Sequence, residues 1–279
     1  MNIIDAIFNL VNNPITRLQE VYKSNNRANS MGDALEEYVK DLFAGTFSEK
    51  DEINRMKQFS NTFSYLGNNS NPPDAMLKGG DAIEVKKIES KNSALALNSS
   101  YPKQKLLRNS TMISSDCRSC EDWLEKDMIY IVGWCEKSQL RSLCMVYGLD
   151  YCAKDEVYSG LKNKLTNVLH TTPGIDFTES KELGHINKID PLGITYMRIR
   201  GMFGIENPWK VFSYIYQRDL EKSFNFMCLI NEDKWNSLGN VEKIENLEVE
   251  GFEIKNVIIK NPDNPARLVN AKLITFYRN

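Results

Sequence analysis

Residues 71–89 read Asn-Pro-Pro-Asp-Ala-Met-Leu-Lys-Gly-Gly-Asp-Ala-Ile-Glu-Val-Lys-Lys-Ile-Glu, and the fold turns on this stretch. Gly79-Gly80 separates two short runs in which Ala75 and Leu77, then Ile83 and Val85, alternate with other residues, the pattern of a β-hairpin with one apolar face. The alternation leaves Asp74, Glu84 and Lys86 on the opposite face. Parity then separates two possible turns. A two-residue Gly79-Gly80 loop pairs Asp74 with Val85, whereas a three-residue loop of Lys78, Gly79 and Gly80 pairs Asp74 with Glu84 and Ala75 with Ile83. Only the odd loop satisfies both faces at once. In that register the two acidic residues lie about 5 Å apart at Cα, and Glu84 and Lys86 are about 6.6 Å apart along the strand.

Two acids and a lysine on one strand face suit metal-dependent phosphodiester hydrolysis. In-line attack by water on an anionic phosphorus needs a cation near the phosphate, carboxylates to hold it and a group to prepare the water. Mg²⁺ takes oxygen ligands at about 2.0 to 2.1 Å and keeps several waters, which fits Asp74, Glu84 and the Val85 carbonyl. Lys86 would polarise the water or stabilise developing charge. A Pro-Asp followed by an acid-x-Lys is nevertheless a common string, and context has to carry the reading.

Upstream, Ser30 and Asp33 form a Ser-x-x-Asp capping box, and Leu35, Val39, Leu42 and Phe43 repeat at helical spacing up to Gly45. Two readings are open to Glu36 beside that stripe: a carboxylate supporting the metal centre, or an i,i+4 pair with Lys40. Residues 1–10 read as a short amphipathic helix with Asp5 inside its apolar part and no basic region before it, so they are not a signal peptide. The polar run 23–29 reads as a loop or arm. Its Arg27 can touch a phosphate backbone, although a solvated loop is the simpler reading.

Downstream, residues 93–98 read as a further strand, and the segment 99–108 carries the densest positive charge near the hairpin. Lys103, Lys105 and Arg108 there are candidate phosphate contacts or a merely solvated basic loop. Cys117-x-x-Cys120 has the spacing of half a zinc site, but no second pair follows it. With only His170 and His185 in the chain, histidine-based hydrolysis has little to work with. Strands are expected over 128–134, 143–149, 223–230, 252–259 and 271–276, with a helix over 155–169 and an aromatic helix from Trp209 through Tyr216. Residues 194–200 read as a strand presenting Arg198 and Arg200 on one face, backed by Met197 and Ile199. Those arginines can each make a bidentate guanine contact, worth roughly 1 to 3 kcal/mol of discrimination, or form surface salt bridges.

Composition bounds the rest. The chain has 279 residues, 42% hydrophobic and 26% charged, with a net charge of −2. It is an ordinary globular composition with room for a sizeable core and no global basic signature, so a nucleic-acid surface must be local. No apolar run approaches the roughly 20 residues needed to span a bilayer. Six cysteines are too sparse for a disulfide scaffold, which with no export signal points to a reducing cytoplasm.

With these residues in view, Gly32-x-Ala34-x-Glu36-x-x-Val39, Pro73-Asp74 and Glu84-Val85-Lys86 resemble the helix, PD and (D/E)-x-K elements of the PD-(D/E)-x-K nuclease superfamily. Residues 67–75, 81–90, 94–100, 198–202 and 205–208 resemble, more closely still, the NgoPII-type type II restriction endonucleases, and 145–148, 214–218 and 223–227 are in the same style. The resemblance implies a single α/β (mixed α+β) restriction-endonuclease-like domain over 1–279. Its catalytic core would span 30–150 behind an N-terminal helix and arm at 1–29, and residues 151–279 would read DNA and complete the core.

It further implies Mg²⁺-dependent cleavage of double-stranded DNA at GGCC, with a methyltransferase protecting the same sequence in the cell. Asp74 and Glu84 would be metal ligands, Lys86 the water-orienting residue and Glu36 the supporting acid. Arg198, Arg200, Asn98, Ser99, Ser100, Lys103, Lys105 and Arg27 are the expected DNA contacts. A palindromic target and one PD motif per chain predict a homodimer. Two rivals stay open on sequence grounds: a structure-specific repair or junction-resolving nuclease of the same superfamily, and a non-cleaving DNA-binding protein.

Overall fold

The computed structural model describes residues 1–24, 30–68, 71–97 and 100–279. Arg27, Asn98 and Ser99 therefore lie outside the described residues. Eight strands run side by side in the order Phe63–Asn68, Asn71–Leu77, Ala82–Ile88, Glu125–Glu136, Gln139–Tyr147, Phe224–Asn231, Leu268–Arg278 and Glu253–Lys260, and Lys105–Leu107 adds to Glu125–Glu136. The sheet is mixed. Ala82–Ile88 pairs parallel with Glu125–Glu136, and Gln139–Tyr147 pairs parallel with Phe224–Asn231, while the other neighbours are antiparallel.

Each face of the sheet carries its own core. Ala75, Leu77, Ile83, Val85, Ile129 and Ile131 face one cluster, completed by the helices Ile3–Asn12 and Met31–Ala44. Met76, Ala82, Met128, Tyr130, Val132 and Ile88 face the other, under Trp123, Trp209 and Phe212. Phe224–Asn231 is buried at every position because it serves both clusters, and so its middle, residues 226–230, reads as a continuous apolar run rather than an alternation.

The Met31–Ala44 helix forms where its signals lie. The Ser30 hydroxyl accepts from the Asp33 N–H, the Asp33 carboxylate accepts from the Ser30 N–H, and Gly45 closes the helix at φ +69°. A cap of this kind contributes about 1 kcal/mol. The first helix starts from a similar box of Asn2 and Asp5.

Three elements differ from expectation. Residues 194–200 give a strand only over Met197–Ile199, in a small antiparallel sheet with Gly184–Asn187 and Asp176–Glu179. Asp190 takes the Thr195 N–H at 2.6 Å in the preceding turn, which removes that amide from any ladder, and Met197 is exposed rather than buried against a core. In the expected strand 93–98, Leu95–Ala96 form a two-residue bridge to Gly204–Ile205. The aromatic helix stops at Val211 after starting at Pro208, with Asn207 as its cap. Among the described residues no helix is long and apolar enough to cross a membrane.

Candidate active site

The hairpin closes through the odd loop. Leu77 N–H donates to the Asp81 carbonyl at 2.9 Å and Gly80 N–H to the Leu77 carbonyl at 3.0 Å, leaving Lys78, Gly79 and Gly80 as the loop, with Gly79 at φ +63°. Ala75 faces Ile83 and Met76 faces Ala82 across the ladder. Carried one residue further, the same register would set Asp74 opposite Glu84. The Lys126 ammonium clamps the turn from below, donating to the carbonyls of Leu77 (3.1 Å) and Gly80 (2.6 Å) and pairing with Glu121. Glu121 in turn accepts from the Gly79 N–H at 3.0 Å.

Backbone pairing between the hairpin strands ends at Ala75, because Pro72 and Pro73 have no N–H with which to continue a ladder. A side chain takes over there: Asp74 Oδ2 accepts from the Val85 N–H at 2.6 Å. The N–H and C=O of one residue in an extended strand point to the same edge. The Val85 carbonyl therefore faces the gap that Asp74 has begun to fill. Gly67 allows the neighbouring strand to approach this closely, since a Cβ there would sit 2.2 Å from the Pro73 carbonyl oxygen.

Glu84 lies close enough to act on the Asp74 charge. Its Oε1 pairs with Lys86 Nζ at 2.6 Å, and its Oε2 is buried with no hydrogen-bond partner. A buried carboxylate oxygen in that state is costly unless something positive meets it. Burial, and then the charge of Glu84, push the Asp74 carboxyl up to about 7, with Lys86 and the Val85 N–H opposing. Burial pulls the Lys86 ammonium down, but Glu84 and Asp74 outweigh it and hold the group above its ordinary value. Lys86 is thus a cation at neutral pH. An orphaned buried oxygen, a carboxyl raised beside it and a backbone carbonyl on the same edge are hard donors that fit a Mg²⁺-like ion.

Glu36 sits near enough to feel this group. Burial raises its carboxyl, and the charges of Lys40 and then Lys86 act against that. The i,i+4 alternative does not form as an ion pair: Lys40 instead pairs with Glu37 at 2.8 Å, and Glu37 also holds the buried Arg55 at 2.7 Å.

Of the expected DNA contacts, Ser100 is half-buried and Lys103 is buried, with its ammonium 3.7 Å from the centroid of the Tyr101 ring. Burial lowers the Lys103 ammonium against the pull of Asp155 and Glu84, which ties this lysine electrostatically to the carboxylate site. Lys105 pairs with Glu125 at 2.5 Å. Arg198 and Arg200 do stand together, and both bind Glu182. Such partly exposed pairs are each worth up to about 1 kcal/mol, little enough for a stronger partner to displace. Lys103, Lys105, Glu182 and Gly201 share the walls of one cleft of about 610 Å³. Asp74, Glu84 and Lys86 do not line it.

Sequence reasoning missed Lys126, Glu121 and Glu182, and also Lys234, which joins Asp81 and Asp127 at 2.7 Å each beneath the hairpin. The Lys126 contacts with the turn and the Lys234 contacts beneath it, separated by 46 to 153 residues, leave no local pattern. The Cys117 thiol lies 3.4 Å from Met76 Sδ in the core.

A mixed sheet flanked by helices, with a Pro-Asp and a Glu-Val-Lys facing one another across its hairpin, defines the class: a restriction-endonuclease-like nuclease. The family model for the NgoPII restriction endonuclease matches residues 1–260. The type II restriction enzyme NgoPII of Neisseria gonorrhoeae is 60% identical over 278 residues, covering 99% of this chain and 100% of that protein. No solved structure matches significantly. The chain belongs to the NgoPII restriction endonuclease family and is a type II site-specific deoxyribonuclease.

Proposed function

We propose that this enzyme hydrolyses phosphodiester bonds of double-stranded DNA at GGCC, with Mg²⁺ held by Asp74, Glu84 and the Val85 carbonyl. The observation that carries the reading is the hairpin register, with Ala75 opposite Ile83, beside a buried Glu84 Oε2 that no hydrogen bond meets and a Glu84 charge that raises the Asp74 carboxyl. When bound, the cation supplies Lewis acidity at a phosphate oxygen and lowers the pKa of water near it.

The chain's own residues do the rest. Asp74 is fixed by the Val85 N–H, so its second oxygen is held toward the gap. Lys86, being cationic, does not take a proton; it donates hydrogen bonds that orient the attacking water and offset charge building on the phosphate. Glu36 supports Lys86 from the helix. Arg198 and Arg200 read guanines, while Ser100, Lys103 and Lys105, with Asn98, Ser99 and Arg27, contact the backbone. Two chains act as a homodimer on the palindrome in the cytoplasm, and a methyltransferase protects the same sequence.

Digestion of unmethylated plasmid tests this directly. Discrete fragments ending at GGCC, appearing only with Mg²⁺ and absent with Glu84→Ala, are expected. Random degradation, or cutting confined to branched DNA, would transfer the reading to a structure-specific nuclease.

A further inference from the structure

Both arginines assigned to guanine readout are held by a single carboxylate. Arg198 reaches Glu182 Oε2 through Nε at 2.7 Å and through Nη2 at 2.6 Å, and Arg200 Nη2 reaches Glu182 Oε1 at 2.9 Å. Both carboxylate oxygens are therefore engaged. The Glu182 side chain is 14% exposed, whereas those of Arg198 and Arg200 are 56% and 48% exposed. The acid is enclosed and the guanidinium groups face outward. Glu182 also lies in the wall of the cleft that carries Lys103 and Lys105, so the clamp sits where DNA is expected to pass.

We propose that Glu182 is a specificity-determining latch, which neutralises and aligns Arg198 and Arg200 until the O6 and N7 of guanine replace it. The inference rests on the assignment of those arginines as base readers. The chemistry favours an exchange of this kind. A carboxylate offers a guanidinium two oxygen acceptors side by side, much as a guanine edge offers O6 and N7. A phosphate accepts from arginine in the same bidentate way, but at non-cognate DNA it must displace Glu182 with no base-edge contact to add to the exchange. The latch therefore penalises backbone-only binding more than cognate binding, and discrimination grows by suppressing the wrong complex.

The test is equilibrium binding of metal-free enzyme to two fluorescent duplexes, one containing GGCC and one with that site scrambled to GCGC, across a salt series. Glu182→Gln should tighten binding to the scrambled duplex by about tenfold and to the GGCC duplex by less, so that the ratio between them shrinks. The slope of log affinity against log salt on the scrambled duplex should steepen by about 1 to 2, as released arginines find phosphates. Glu182→Asp, which keeps the charge and shortens its reach, should fall between wild type and Glu182→Gln. Thermal melting establishes that each variant is folded.

An unchanged ratio and salt slope in Glu182→Gln, with Arg198→Ala still weakening GGCC binding, overturns the latch and leaves the readers in place. Arg198→Ala and Arg200→Ala that bind both duplexes like wild type overturn the reader assignment and the latch with it.

Discussion

The Asp74 carboxylate accepts the Val85 backbone N–H at 2.6 Å, so a side chain of one hairpin strand occupies the place where the ladder would have put a carbonyl. This substitution turns a strand pair into a site. Past Ala75 the ladder pairing between the strands ends, and there the Asp74 carboxylate takes the Val85 N–H while a buried Glu84 oxygen goes without a hydrogen bond.

Asp74 pays for this position in stability, and the sign follows from its raised carboxyl. Its folded value, about 7, lies above its ordinary one, so the folded state binds the proton more tightly. Stability contributed by that proton is fully present below the unfolded value and is lost as pH rises through about 7. Asp74→Asn keeps an oxygen acceptor for Val85 but carries no charge. Without a divalent ion it should melt higher than wild type at pH 8, with the gain shrinking as pH falls toward 4, while cleavage falls by about a thousandfold or more. Melting in chelator at several pH values, beside a cleavage assay, checks both halves.

Gly67→Ala should damage the site from outside it. The added Cβ would meet the Pro73 carbonyl at 2.2 Å and Asp74 backbone atoms at 3.0 Å, which are main-chain atoms with no rotamer to give. A loss of about 1 to 3 kcal/mol is expected, together with slower cleavage because Asp74 moves with Pro73. Chemical denaturation and single-turnover cleavage report the two effects separately.

Lys126→Met removes the ammonium under the turn, which takes that donor from the Gly80 carbonyl and leaves the Leu77 carbonyl with the Gly80 N–H alone. Leaving buried acceptors unmet costs about 1 to 3 kcal/mol. The loss should appear as lowered stability and as faster amide exchange in residues 77–81, measured by hydrogen exchange.

The hairpin was legible because its information is local. Alternation, a Gly-Gly turn and the parity of the loop lie within 19 residues, and the Ser30–Asp33 box announces the helix beneath it. The strands Glu125–Glu136 and Phe224–Asn231 were equally plain as apolar runs. What stayed hidden depends on partners distant in the chain. Lys126, Lys234 and Glu182 are ordinary surface residue types in sequence, and only the fold brings them under the turn or under the arginines. The strand expected over 194–200 is shortened to Met197–Ile199 for a related reason: alternation implies a face to bury, and the small sheet there has no deep core behind it, so Met197 stays exposed.

Divalent-ion binding by the DNA-free enzyme tests the shared Asp74–Glu84 site most directly. Calorimetry with Mn²⁺ near pH 8 should show binding in wild type that is lost in both Asp74→Asn and Glu84→Gln, while each variant remains folded by its melting profile. In wild type, binding at pH 6 should release up to about one proton, since the ion requires Asp74 deprotonated. If Glu84→Gln bound the ion as wild type does, the two carboxylates would not share a cation, and the account built on the hairpin register would be wrong.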